Sequence, residues 1–235
     1  MKVEIWSDVM CPFCYIGKRR FEKALQELPF GKDIQVEWKS FQLDPSLRHE
    51  PGKTVNQYLA ERKGVSVQQA QQMNDYVTKM AAEVGLQYDF SKAVVSNSFD
   101  AHRFSHLAAQ KGRGDAAEES LFKAYFTEGK NIADHDTLAA LGVQIGLDSA
   151  EVKQTLQTDA FANNVRQDIA EAGELGIQGV PFFVMNRKYA VSGAQSVEVF
   201  KQALDRAYTE WKAEKEKNKL TVVEGEACTP GGDCK

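Results

Sequence analysis

Hydrophobic and polar positions follow two different periods along this chain. Val3 to Asp8 is a short, largely apolar run that reads as a strand. From Pro12 the period lengthens. Ile16, Phe21, Ala24, Leu25 and Leu28 fall on one helical stripe, and Lys18, Arg19, Arg20, Glu22 and Lys23 supply the wet side. Proline is favoured in a first helical turn, so this helix should begin near Pro12, and Pro29 and Gly31 should end it. A second strand is expected over about 34–41, carrying Val36 and Trp38.

From about 55 to 176 the strand signal almost vanishes. Pro51-Gly52 opens this stretch, and the next proline is Pro181. Helices are expected near 54–63, 67–84, 98–111, 115–128, 134–145, 149–157 and 159–175. Ser66 with Gln69 fits a capping box, and Asp148 with Glu151 is a looser version. Gly85, Gly112, Gly114, Gly129, Gly146 and Gly176 fall where helices should stop. A segment of ~120 residues is too long to be a loop. Strand patterns return at Pro181–Met185 and Lys188–Val191, with Asn186-Arg187 as a two-residue hairpin turn. A final helix should run from about 197 to 217, with Phe200, Leu204, Tyr208 and Trp211 on its inner face.

The order is β-α-β, helical insertion, β-β-α. It is the order of an α/β, thioredoxin-like fold that carries a large all-helical insertion. The expected parts are residues 1–50 and 177–217 for the thioredoxin-like domain, 51–176 for the helical insertion, and 218–235 for a flexible tail.

Composition narrows the partners. The chain has 235 residues, 43% hydrophobic and 26% charged, with a net charge of -4. No broad basic stripe is visible, which argues against nucleic acid or an anionic membrane as a partner. No apolar run approaches the ~18 residues of a membrane span. Met1-Lys2 leads at once into the first strand, with no room for a leader's charged, apolar and cleavage regions, so the expected location is cytoplasmic. In that compartment paired cysteines are more often catalytic or metal-binding than structural. The four cysteines form two pairs, Cys11/Cys14 and Cys228/Cys234.

Cys11-Pro12-Phe13-Cys14 sits at the junction of the first strand and helix, and it is the strongest chemical signal. If the helix begins at Pro12, Cys11 is its N-cap, where free N–H groups and the positive dipole end favour a thiolate. Cys14 lies one turn further in on nearly the same face, and more covered. The pair can therefore act as attacking thiol, Cys11, and resolving thiol, Cys14. Pro12 shapes the turn and removes one N–H. Phe13 adds an apolar neighbour without charge, so thiolate stabilisation should be milder than in the strongest oxidants. The alternatives are half of a zinc site and a pair of inert buried thiols. The five-residue gap between Cys228 and Cys234 lies outside common zinc spacing, and the strand-to-helix position favours redox use over both.

Gly179-Val180-Pro181 is the second signal. A proline opening a strand beside the Cys11 helix is a candidate cis peptide; an ordinary trans edge-strand proline is the alternative. A cis bond would set the Val180 backbone against the sulfurs, where it could pair with a substrate peptide.

With these residues in place, the run from Trp6 to Gly17 resembles the start of the DsbA-like thioredoxin-fold oxidoreductases, in particular the cytoplasmic FrnE-type branch. Asn97-Ser98, Ala101-His102-Arg103, the segment Gly176 to Val184, and Ser192-Gly193-Ala194-Gln195 extend the resemblance, which spans about 3–211. It implies a thiol–disulfide oxidoreductase or isomerase with Cys11 as surface nucleophile, Cys14 as resolving thiol and Pro181 as cis-proline. The same superfamily includes kappa-class glutathione transferases and 2-hydroxychromene-2-carboxylate isomerases, which usually place serine where this chain has Cys11. Both thiols here argue for dithiol chemistry and leave glutathione open as reductant or co-substrate.

His102 and His106 share a helix face at i, i+4, the spacing of a metal pair, but no third ligand is evident and a packed or hydrogen-bonded face is the plainer reading. The resemblance places this helix along the cleft, which keeps a substrate role open for Asn97 or His102. Met73, Tyr76 and Met80 could add apolar surface for partners, although such stripes are more often core. In the tail, Pro230-Gly231-Gly232 can turn tightly enough to join Cys228 and Cys234. The 11 residues from Lys217 to Cys228 reach about 36–40 Å when extended, far enough for an auxiliary redox pair to return to Cys11.

The expected function is thus thiol–disulfide exchange on protein or peptide thiols, with no resident cofactor or metal and with a glutathione or thioredoxin-type system recycling it. A glutathione-linked transferase or isomerase of small molecules and a peptide-binding module with incidental thiols are the alternatives. Oligomeric state is left open.

Overall fold

The computed structural model describes residues 1–48, 50 and 52–217. Its elements are β1 (Lys2–Ser7), α1 (Pro12–Glu27), β2 (Gln35–Ser40), α2 (Val55–Lys63), α3 (Val67–Glu83), α4 (Phe99–Gln110), α5 (Gly114–Phe126), α6 (His135–Gln144), α7 (Ser149–Gln157), α8 (Ala162–Glu174), β3 (Phe182–Met185), β4 (Tyr189–Ser192) and α9 (Val197–Lys217). A short 3-10 turn, Gly31–Asp33, joins α1 to β2. The strands form one sheet in the order β2-β1-β3-β4. β1 runs parallel to β2 and antiparallel to β3, and β3 is antiparallel to β4. This is the thioredoxin-like α/β fold, with the helices from α2 to α8 between its two halves.

β1 is buried on both faces. Val3 and Ile5 pack with Phe21 and Ala24 of α1, Phe183 of β3, and Phe200, Leu204 and Ala207 of α9. Trp6 points to the opposite side, with Ala172 of α8, Ile177 and Val184. A central strand covered on both sides explains why its apolar run barely alternates. Asp168 fastens α8 to the sheet. Its carboxylate accepts the Ser40 N–H at 2.9 Å and the Lys39 ammonium at 3.0 Å, and its carbonyl accepts the Trp6 indole N–H at 2.9 Å.

A larger core runs through the helical region and reaches Cys11, Cys14, Tyr15 and Ile16. Arg103 of α4 closes the α7–α8 connection. It donates to the carbonyls of Thr155, Leu156, Thr158 and Ala160 and to the Asp100 carboxylate. The capping boxes at Thr54/Gln57 and Ser66/Gln69 start α2 and α3.

Several local expectations change. Lys18, assigned to the wet side of α1, is only 2% exposed because α5 covers that side. Its charge is met by Glu22, Asp115 and Glu119. Gly114 opens α5 instead of ending α4, and Gly112, at φ 70, makes the turn. α8 begins at Ala162 because Phe161 holds a left-handed backbone, φ 61, at its N-cap. Asp148 caps α7 by accepting the Glu151 N–H. Asn186 and Arg187 both have positive φ, as a two-residue hairpin turn requires.

Candidate active site

The β1–α1 junction is built around one carboxylate. Asp8 accepts the Met10 N–H at 3.3 Å with one oxygen and the Leu43 N–H at 2.7 Å with the other. The Cys11 N–H bonds the Asp8 carbonyl at 2.9 Å, which places Cys11 as the N-cap of α1. Pro12 occupies the first turn, and no acidic residue stands there to oppose a thiolate.

Cys11 and Cys14 are unlinked thiols. Cys11 is 4% exposed and Cys14 1%. Cys11 is therefore no surface residue, contrary to the sequence expectation: it opens into a groove of about 880 Å³, while Cys14 does not line that groove. Phe13 and Val180 line the same groove beside Cys11. The Cys11 Sγ donates to the Val180 carbonyl at 3.4 Å. The Val180–Pro181 peptide is cis. Burial pushes the Cys14 thiol well up, and the neighbouring Cys11 pushes it further. The Ser7 hydroxyl and the Asp8 backbone pull the other way. Cys14 thus stays protonated while Cys11 is the thiol within reach of a ligand.

Two features hold the two halves of the site together. The Tyr88 hydroxyl donates to the Pro12 carbonyl at 2.7 Å. Gly17 lets α1 approach the Pro181 ring, since a Cβ there would lie 3.0 Å from Pro181 Cγ. One groove wall comes from α2, α3 and the turn between them, with Tyr58, Leu59, Val65, Met73, Tyr76 and Val77. Tyr76 is 64% exposed and Met73 39%, so both serve as open groove surface, whereas Met80 packs on the core.

Asn97 and His102 do not line this groove. Asn97 precedes α4 and ties loops together, donating to the carbonyls of Pro45 and Leu47 and accepting from Gln42 and the Phe99 N–H. His102 is buried at 2%, with Nε2 3.6 Å from Asp8 Oδ1. His106 turns instead to Ser40 and Asp168, each at 3.1 Å from Nε2. Both of these contacts fall on one nitrogen, so the three residues do not form a nucleophilic triad. No cluster of three or more His, Cys, Asp or Glu that could hold a metal occurs among the described residues. Among them, no helix is long and apolar enough to cross a membrane. Cys228 and Cys234 lie outside the described residues.

Tyr88, Tyr125 and the pair Arg62-Lys63 are site residues that sequence reasoning missed. The signal for α2 was its helical period, which does not say which face meets the groove.

A thioredoxin-like sheet with a Cys-Pro-Phe-Cys helix start beside a cis-proline defines a thioredoxin-fold protein with a dithiol site. The chain belongs to the DSBA-like thioredoxin domain family, which matches residues 2–205. The Bacillus subtilis protein YwbO is 31% identical over 204 residues, covering 86% of this chain and 94% of that protein. A structure described as a probable DsbA oxidoreductase from Streptomyces coelicolor is 41% identical, with a TM-score of 0.85, covering 100% of this chain and 98% of the other. The cytosolic disulfide reductase DsbM from Pseudomonas aeruginosa shares the fold at 17% identity and a TM-score of 0.60, over 92% and 100% of the two chains.

Proposed function

We propose that this DsbA-like oxidoreductase exchanges thiols and disulfides of proteins or peptides through Cys11 and Cys14. The observation that carries the reading is the unequal placement of the two thiols. Cys11, at the N-cap of α1, opens into the groove; Cys14 lies one turn deeper and is held protonated by burial.

In the reducing direction, the Cys11 thiolate attacks one sulfur of a substrate disulfide. A Cys11–substrate disulfide forms, and the other substrate sulfur leaves as a thiolate that takes up a proton. Cys14 then loses its proton and attacks Cys11, releasing the second substrate thiol. Two electrons pass from the Cys11/Cys14 dithiol to the substrate disulfide. The oxidising direction is the same sequence in reverse. Val180, whose carbonyl faces Cys11 Sγ, is the backbone edge along which a substrate strand would lie. The reading extends to a cytoplasmic setting, with glutathione or a thioredoxin-type system returning the pair to its starting state.

Trapping tests this. Cys14→Ser should accumulate a mixed disulfide with a peptide substrate at Cys11, visible by intact mass, and should lose insulin reduction. Cys11→Ser should trap nothing. Turnover that survives Cys14→Ser and saturates with glutathione would replace this reading with a glutathione-linked transferase or isomerase.

A further inference from the structure

The groove beside Cys11 is apolar along most of its wall, yet it carries polar groups that thiol exchange does not use. No aspartate or glutamate lines it, and its cations are Arg62 and Lys63 at the end of α2. Arg62 is already engaged: its Nη1 lies 2.7 Å from Asp44 Oδ2, and its other arm donates to the Leu43 carbonyl. Lys63 is exposed and has no ion-pair partner among the described residues. A helix C-terminus attracts cations, but this one is already closed: the Gly64 N–H bonds the Ala60 and Glu61 carbonyls. Deeper in the groove, Tyr125 is 3% exposed, and its hydroxyl makes no hydrogen bond among the described residues. The hydroxyl oxygen is not itself fully covered, so it can donate to a ligand lying in the groove.

We propose that this groove selects cysteine-containing peptides with an acidic side chain near the reactive cysteine. Apolar neighbours of that cysteine lie on Met73, Tyr76 and Val77, a peptide carbonyl accepts the Tyr125 hydroxyl, and the carboxylate meets Lys63. Charge complementarity of this kind sets encounter rate and register. The proposal rests on the thiol-exchange reading of Cys11.

The test uses the full chain and three quenched-fluorophore peptide disulfides, identical except for Glu, Gln or Lys scanned through the positions flanking the cysteine. The wild-type protein should favour the Glu peptide over the Lys peptide by about two- to fivefold in kcat/KM at low salt, and by less at high salt. That ratio should fall toward one in Lys63→Gln and invert in Lys63→Glu. Tyr125→Phe should lower kcat/KM for all three peptides alike. Ratios taken within one variant cancel any loss of folded protein. Equal kcat/KM for the three peptides at every position, or a preference that survives Lys63→Glu, would overturn the proposal. If the wild-type protein turned over none of the peptides, the thiol-exchange reading would fall, and this inference with it.

Discussion

The hydroxyl of Tyr88 donates to the carbonyl of Pro12 at 2.7 Å, so the segment after α3 grips the turn that carries both thiols. Tyr88 is 8% exposed and stacks on Phe126 with ring centroids 4.6 Å apart. Burial pushes its phenol far up, and Cys11 and Cys14 push it further, so it remains a donor throughout the working pH range. Tyr88→Phe keeps the stacking and removes the hydrogen bond. The expected cost is about 1–2 kcal/mol in urea unfolding, together with a lower kcat/KM for disulfide exchange. Unchanged exchange kinetics would show that this bond does not position the thiols.

Two glycines separate site geometry from helix propensity. A Cβ at Gly17 would meet Pro181 Cγ at 3.0 Å and Phe183 at 3.4 Å, whereas one at Gly173 of α8 would meet nothing within 4 Å. Gly17→Ala should push the Pro181 segment away from α1 and lower exchange activity while the protein still folds. Gly173→Ala should raise stability by about 0.5–1 kcal/mol and leave activity alone. Denaturation midpoints and exchange rates of the two variants check both outcomes.

Arg103 belongs to the run Ala101-His102-Arg103 that carried the family resemblance, yet it lies away from the groove. Its planar fork serves the carbonyls that close α7 onto α8. Lysine cannot reproduce that fork, so Arg103→Lys should cost about 2–3 kcal/mol of stability. Its kcat per folded molecule should match wild type. A large loss of kcat with normal stability would make Arg103 a site residue after all.

His102 and Glu118 should make stability fall as pH rises. Burial alone would lower His102, but Asp8, and then Glu118, hold it above its ordinary 6.5. Burial pushes Glu118 above its ordinary 4.5, against the pull of Ser105. Both groups hold protons in the folded state that they give up on unfolding. Their stabilisation is full below those ordinary values and is lost as pH climbs through the raised folded ones. The window opens near 4.5 for Glu118 and near 6.5 for His102. Urea midpoints measured from about pH 5 to 8 should decline, and His102→Gln should flatten the upper part of that decline. A midpoint that rises across the range would contradict the assignment.

Much of the fold was legible because each element carries its own punctuation. Pro12 starts α1, Ser66 with Gln69 starts α3, and glycines with positive φ follow α2 and α4. The thiol pair was legible because its chemistry lies within four consecutive residues. Lys18 was misjudged because a one-dimensional stripe does not show that α5 will cover the opposite face with Asp115 and Glu119. Asn97 and His102 were placed near the cleft by resemblance, but their partners, Leu47 and Asp8, lie about 50 and 94 residues away in sequence. Tyr88, Tyr125 and Lys63 could not be seen for the same reason: the groove forms only when the α2–α3 pair folds back beside α1.

The most direct test of the central claim is a redox titration of Cys11 and Cys14 against glutathione buffers. It is read by alkylation and mass spectrometry, in the full chain and in a Cys228→Ser/Cys234→Ser variant. The expected result is a reversible two-electron transition to a Cys11–Cys14 disulfide that persists without the tail thiols. Failure of that disulfide to form anywhere in the titration, with both thiols remaining alkylatable, would contradict the claim that Cys11 and Cys14 work as a dithiol pair.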